Sequence, residues 1–90
     1  MKMRDMIVWY LAHEGVDVER GDAQPRGTHW QARVDLAMMV EEEMTLDIRV
    51  YNNDFGSTDV VNRIVALIRK LKVNRIEIVE RTGHWLIHVD

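Results

Sequence analysis

TLDIRVYNNDFGSTDVVNRIVALIRKLKVNRIEIV, residues 45–79, decides the fold. It reads as strand, loop, capped helix and second strand. Leu46, Ile48 and Val50 alternate with Thr45, Asp47, Arg49 and Tyr51, the period-two pattern of a strand with one apolar and one polar face. Gly56 closes the loop that follows Tyr51. Ser57 or Thr58 is then expected to accept a hydrogen bond from the free amides of the next helix, and Asp59 suits the positive end of its dipole. Val60, Val61, Ile64, Val65, Leu67, Ile68 and Leu71 form a wide apolar stripe, with Asp59, Asn62, Arg63, Ala66, Arg69 and Lys70 on the solvent side. Asn74 is expected to end this helix in the left-handed conformation.

Upstream, Trp30, Ala32, Val34, Leu36 and Met38 alternate with His29, Gln31, Arg33, Asp35 and Ala37, so residues 28–38 read as the partner strand of an antiparallel hairpin. Before it, Met3, Met6, Ile7, Tyr10 and Leu11 recur at helical spacing, and Gly15 is a natural C-terminal cap. The run MIVWYL is also rich in strand-forming types, so a buried strand is the rival reading. Residues 16–20 alternate as a short strand, followed by the loop GDAQPRG, where the greatest flexibility is expected. After the second helix, a two-residue turn at Thr82 and Gly83 sets a hairpin register: Ile76 opposite Val89, Glu77 opposite His88, Ile78 opposite Ile87, Val79 opposite Leu86 and Glu80 opposite Trp85. The expected fold is a single α+β domain over residues 1–90, with elements in the order α-β-β-β-α-β-β and two helices packed on a mostly antiparallel sheet.

Composition narrows the function. The chain has 90 residues, few enough that one core buries only about 60 to 65% of the unfolded surface, and a homodimer would add to it. With 47% hydrophobic and 30% charged residues, disorder is not expected. There is no cysteine, hence no disulfide, thiolate nucleophile or thiolate-bound metal. The longest apolar run, residues 6–12, is too short to span a membrane. A cytoplasmic setting and no membrane partner are expected. A net charge of -3 argues against a nonspecific nucleic-acid binder, although Arg63, Arg69, Lys70, Lys72 and Arg75 cluster locally. Cations at a helix C-terminus also complement its dipole.

Catalytic patterns are missing. Neither a GxxxxGK[ST] loop nor a GxGxxG turn occurs, and no serine, histidine and acid arrangement has a local motif. His84 and His88 lie on one strand, where four residues span roughly 13 Å, too far for joint metal ligation. The run Glu41, Glu42 and Glu43, flanked by Met38, Met39, Val40 and Met44, offers charge and adaptable apolar surface to a basic protein partner, and Trp30 and Trp85 are candidate exposed aromatics. A charge run in a hairpin turn is more often simply solvated.

Asp35, Asp47 and Arg49 leave the polar faces of the two central strands. VDL with Asp35, DIR with Asp47 and Arg49, and then STDVVNRIVALIRKLKVNRIEIV resemble the restriction-endonuclease-like nucleases of the PD-(D/E)xK superfamily, particularly its Mrr-like members, over residues 16–82. That resemblance implies a Mg²⁺-dependent nuclease, with Asp35 and Asp47 as metal ligands and Arg49 in the place of the catalytic lysine. The chain departs from the pattern twice. Arginine stays protonated where lysine can transfer a proton, and the leading proline-aspartate is absent. These departures point to a catalytically inactive, nucleic-acid-binding relative rather than an active enzyme.

Register separates this site from an ordinary sheet surface. If Asp35 faces Asp47, two like charges converge and call for a cation; if the strands slip by two, Asp47 faces Arg33 and Gln31 faces Arg49. The second arrangement is favoured. The expected function is therefore a non-enzymatic protein-interaction module with no cofactor, an inhibitor or adaptor of a larger protein, working through sheet edges and exposed side chains.

Overall fold

The computed structural model describes residues 3–28, 30–40, 45–51 and 56–90. Its elements are α1 (Met3–His13), β1 (Val16–Asp17), β2 (Asp22–Ala23), β3 (Ala32–Val40), β4 (Thr45–Tyr51), α2 (Ser57–Ile68), β5 (Ile76–Arg81) and β6 (His84–Val89). The strands form one sheet in the order β1-β2-β3-β4-β6-β5, and every neighbouring pair is antiparallel. This is the expected α+β architecture with one additional strand. The expected loop GDAQPRG contributes β2, which pairs with β1 on one side and β3 on the other. The same segment is fastened by Gln24 N–H to the Gly15 carbonyl (3.0 Å) and Arg26 N–H to the Glu14 carbonyl (2.8 Å), so its backbone donors are satisfied within the fold.

The core follows from the two apolar periodicities. Val60, Val61, Ile64, Val65, Leu67 and Ile68 are buried on α2, and each contributes about 1.5 to 3 kcal/mol relative to exposure. They meet Val34, Leu46, Ile48, Val50, Ile87 and Val89 from alternate positions of β3, β4 and β6. The N-terminal segment is a helix, and it adds Ile7 and Leu11, both fully buried, to the same core. Gly15, at φ 92°, ends that region as its cap; a Cβ there would lie 2.4 Å from the Gln24 carbonyl oxygen.

Several boundaries differ from the sequence pattern for local reasons. Thr28 is not part of β3: its N–H and hydroxyl both donate to the Pro25 carbonyl, at 3.1 and 2.7 Å, which holds it in a turn. β3 carries a register shift between Leu36 and Met38, so the ladder pairs Met38 with Asp47 and Met39 with Leu46. The alternation that placed Met38 in phase with Val34 and Leu36 is broken there. At α2 the cap position is Gly56, in the left-handed region at φ 87°, and Ser57 and Thr58 are already helical. A Cβ on Gly56 would lie 3.0 Å from Trp30 Cβ and Cδ1, so the Trp30 side chain fills the space beside it. α2 ends at Ile68, before Asn74, through tightened bonds from Lys70 N–H to Leu67 and from Leu71 N–H to Ile68. Asn74 N–H instead donates to the Asp90 carbonyl at 2.8 Å.

The C-terminal hairpin has the register set by Thr82 and Gly83, pair for pair from Ile76 opposite Val89 to Glu80 opposite Trp85. β6 rather than β5 lies beside β4. The side chains account for this choice: Ile87 and Val89 are fully buried, whereas Glu77, Ile78, Glu80 and Arg81 of β5 are exposed at the sheet edge. Among the described residues no helix is long and apolar enough to cross a membrane.

Candidate functional site

Both helices and the buried apolar residues share one face of the sheet, and Asp35, Asp47 and Arg49 occupy the other. The register on that face is neither of the two weighed from the sequence. The slip runs the opposite way, so Asp35 pairs with Arg49, and Asp47 pairs with Met38 on one side and His88 on the other. Neither Asp35 opposite Asp47 nor Arg33 opposite Asp47 occurs. The character of the favoured alternative, an ion-paired sheet surface, is nonetheless what the face shows.

Asp35 is held from two sides. Arg49 Nε–H donates to one carboxylate oxygen at 2.9 Å, and the Tyr51 hydroxyl donates to the other at 2.6 Å. The guanidinium of Arg33 lies over the Tyr51 ring, 4.2 Å from its centroid, and His84 is tilted against the same ring at 6.2 Å. The hydrogen bond to Asp35 pushes the Tyr51 phenol above its ordinary value of 10.0, with partial burial and the Asp35 charge acting in the same direction.

A second array lies in the neighbouring row. Asp47, only 8% exposed, accepts a hydrogen bond from His88 Nδ1. His88 Nε2 faces the Asp90 carboxylate at 3.7 Å, Arg75 binds the same carboxylate at 3.0 Å, and Arg75 also reaches Glu77 at 3.4 Å. Acidic and basic side chains therefore alternate from Asp47 through His88, Asp90 and Arg75 to Glu77.

The arrangement changes what the three candidate residues can do. Arg49 spends its Nε–H on Asp35, and both Asp35 oxygens accept hydrogen bonds within the sheet. Asp47 turns to His88 rather than to Asp35. Among the described residues no three histidine, aspartate or glutamate side chains converge as a metal-binding group. His88 and Tyr51 are the participants that the sequence did not single out. Tyr51 could have been found from its parity with Asp47 and Arg49; His88 could not, because its role depends on β6 lying beside β4.

The remaining candidates for partner contact fall elsewhere. Trp85 is half-buried against the core with its indole N–H buried and unbonded, and Trp30 is likewise packed against the core, so neither is the exposed aromatic expected. That position belongs to Trp9, 62% exposed on α1 and stacked on His13 at 5.6 Å. Glu41, Glu42, Glu43 and Met44, with the side chains of Met38 and Met39, lie outside the described residues, as do His29 and residues 52–55. No protein-family model matches this chain, and no curated protein or solved structure matches it significantly.

Proposed function

We propose that this chain is a cytoplasmic, non-enzymatic protein-interaction module that engages its partner through the free edge of β5. One observation carries the reading: β5 is the last strand of the sheet, six residues long, and Ile78 on it is 44% exposed. The outer edge of a strand of this length presents a row of main-chain donors and acceptors that a partner strand can take up. The ion pairs on the open sheet face support the same reading, because they engage the carboxylates that metal-dependent chemistry would need.

The test uses a photo-crosslinking side chain placed at Glu80, with one at Asn62 on the exposed side of α2 as control, in the native host. Adducts at position 80 that disappear in Ile78→Pro are expected. At Ile78 proline removes only an amide facing the free edge, so the β5–β6 ladder survives. Adducts confined to position 62, or insensitive to Ile78→Pro, would overturn the reading. So would cleavage of DNA or RNA in Mg²⁺ or Mn²⁺ that Asp47→Ala abolishes.

A further inference from the structure

The edge of β5 has a definite phase. Arg75 and Asp90 exchange both main-chain hydrogen bonds, at 3.2 and 3.0 Å. By the two-residue alternation of an antiparallel ladder, Glu77, Val79 and Arg81 turn their amides toward β6, and Ile76, Ile78 and Glu80 turn theirs to the open edge. The side chains of Glu77, Val79 and Arg81 lie on the face away from the helices, and those of Ile76, Ile78 and Glu80 on the helix side.

A second copy of the same strand can meet this edge antiparallel about a two-fold axis, and the side chains decide where that axis falls. Centred on Glu77, the pairing opposes Glu77 to itself. Centred on Ile78, it sets Arg75 against Arg81 of the second copy, twice. Centred on Glu80, it again opposes like charges. Centred on Val79, it sets Glu77 against Arg81 on both sides of a Val79 pair, while Ile78 lies against the aliphatic stem of Glu80. Centred on Ile76, it sets Arg75 against Glu77 but overlaps only the first residues of β5 and leaves Ile78 beyond the strand pairing. Like charges directly opposite are destabilising and opposite charges stabilising, so among the registers that cover the middle of β5 a single one is self-complementary.

We propose that β5 pairs with β5 of a second copy of this chain, antiparallel and with Val79 on the two-fold axis, joining the two sheets into one. This names the partner of the edge already assigned and rests on that assignment. The pairing would form about four new main-chain hydrogen bonds through Ile78 and Glu80, and it would cover the exposed Ile78. Glu77, already 3.4 Å from Arg75 of its own chain, would then lie between two guanidinium groups.

The absence of cysteine allows a clean test with single-cysteine variants. In the proposed register two Val79→Cys residues occupy a non-hydrogen-bonded pair with Cα atoms about 4.5 Å apart, within disulfide range. Two Ile78→Cys residues are offset diagonally by about 7 to 8 Å, beyond it. Mild oxidation of dilute protein is expected to link Val79→Cys into a dimer and to leave Ile78→Cys and Glu77→Cys monomeric. Light scattering of the unaltered chain is expected to give twice the monomer mass. Glu77→Arg or Arg81→Glu alone should weaken the dimer about tenfold, as the loss of two cross-strand charge pairs implies, and the two together should restore it.

Preferential linkage of Ile78→Cys or Glu77→Cys would overturn the proposed pairing. A monomeric mass at the highest soluble concentration, with Val79→Cys unlinked, would overturn the second copy as partner. If Ile78→Pro-sensitive adducts at position 80 then form with a different protein, the interaction edge stands and only the self-pairing falls.

Discussion

Asp47 and His88 face each other across the β4–β6 ladder, and the imidazole donates from Nδ1 to a carboxylate that is only 8% exposed. Asp47 is the one charged side chain among the described residues that the fold buries to this degree. A buried carboxylate without a donor is costly, so the pair ties β6 to β4 through chemistry as well as through the ladder. The placement of β6 inside the sheet, with β5 outside, gives this carboxylate its partner.

Replacing Asp47 by alanine, or His88 by alanine, should each lower stability by about 1 to 3 kcal/mol in urea denaturation. The double variant should lose less than the sum of the two, since either change alone leaves the other group without its partner. Asp35→Ala should cost under about 1 kcal/mol, because the Asp35 and Arg49 side chains are each 37% exposed and their attraction is screened. A loss at Asp35 equal to that at Asp47 would contradict this ranking.

The sequence was most legible where local chemistry sets geometry. The two-residue turn at Thr82 and Gly83 determined every pair of the β5–β6 hairpin, and the stripe from Val60 to Ile68 marked the buried face of α2. The site was less legible, because its pairings are not local. Asp35 meets Arg49 only because β3 is registered two residues from the Asp35–Asp47 alignment and four from the Arg33–Asp47 alignment, and the irregularity after Leu36 has no signature in the alternation of apolar residues. The β2 strand was hidden in a glycine- and proline-rich loop whose two paired residues, Asp22 and Ala23, are too few to show a period. The cap of α2 falls one residue before the strong capping types Ser57 and Thr58, because Gly56 takes the left-handed φ of 87° close against Trp30.

The glycines at positive φ should rank by what a methyl group would meet. Gly15→Ala should be the most damaging, since its Cβ would lie 2.4 Å from the Gln24 carbonyl oxygen and both main-chain segments would have to move. Gly56→Ala meets the Trp30 side chain at 3.0 Å and should be intermediate. Gly27→Ala, with φ 82° and nothing within 4 Å, should show only the backbone strain of about 1 kcal/mol. Thermal unfolding of the three variants checks the order.

Ile87 and Ile78 face each other in the β5–β6 ladder, yet one is fully buried and the other 44% exposed. Ile87→Ala should cost about 2 to 5 kcal/mol, because it opens a cavity in the core beneath α2. Ile78→Ala should cost under about 1 kcal/mol in the monomer. Urea midpoints at low protein concentration separate the two, and a large loss at Ile78 under those conditions would mean that the edge is covered within the chain.

Tyr51 supplies the pH dependence that can be assigned a direction. Its phenol is raised above 10.0 chiefly by the hydrogen bond it donates to Asp35, so near and above pH 10 the folded chain keeps a proton that the unfolded chain releases. The contribution to stability is therefore complete below about pH 10 and is lost as the pH rises from there through the folded value. The phenolate absorbance of the native protein minus that of Tyr51→Phe should show a midpoint above 10.0. Across the same range the stability of the native protein should fall more steeply than that of Tyr51→Phe, since other ionising groups contribute equally to both. Asp35→Asn should return the Tyr51 midpoint toward 10.0, because the charged acceptor is gone; a midpoint unchanged by that substitution would show that Asp35 does not hold the phenol proton.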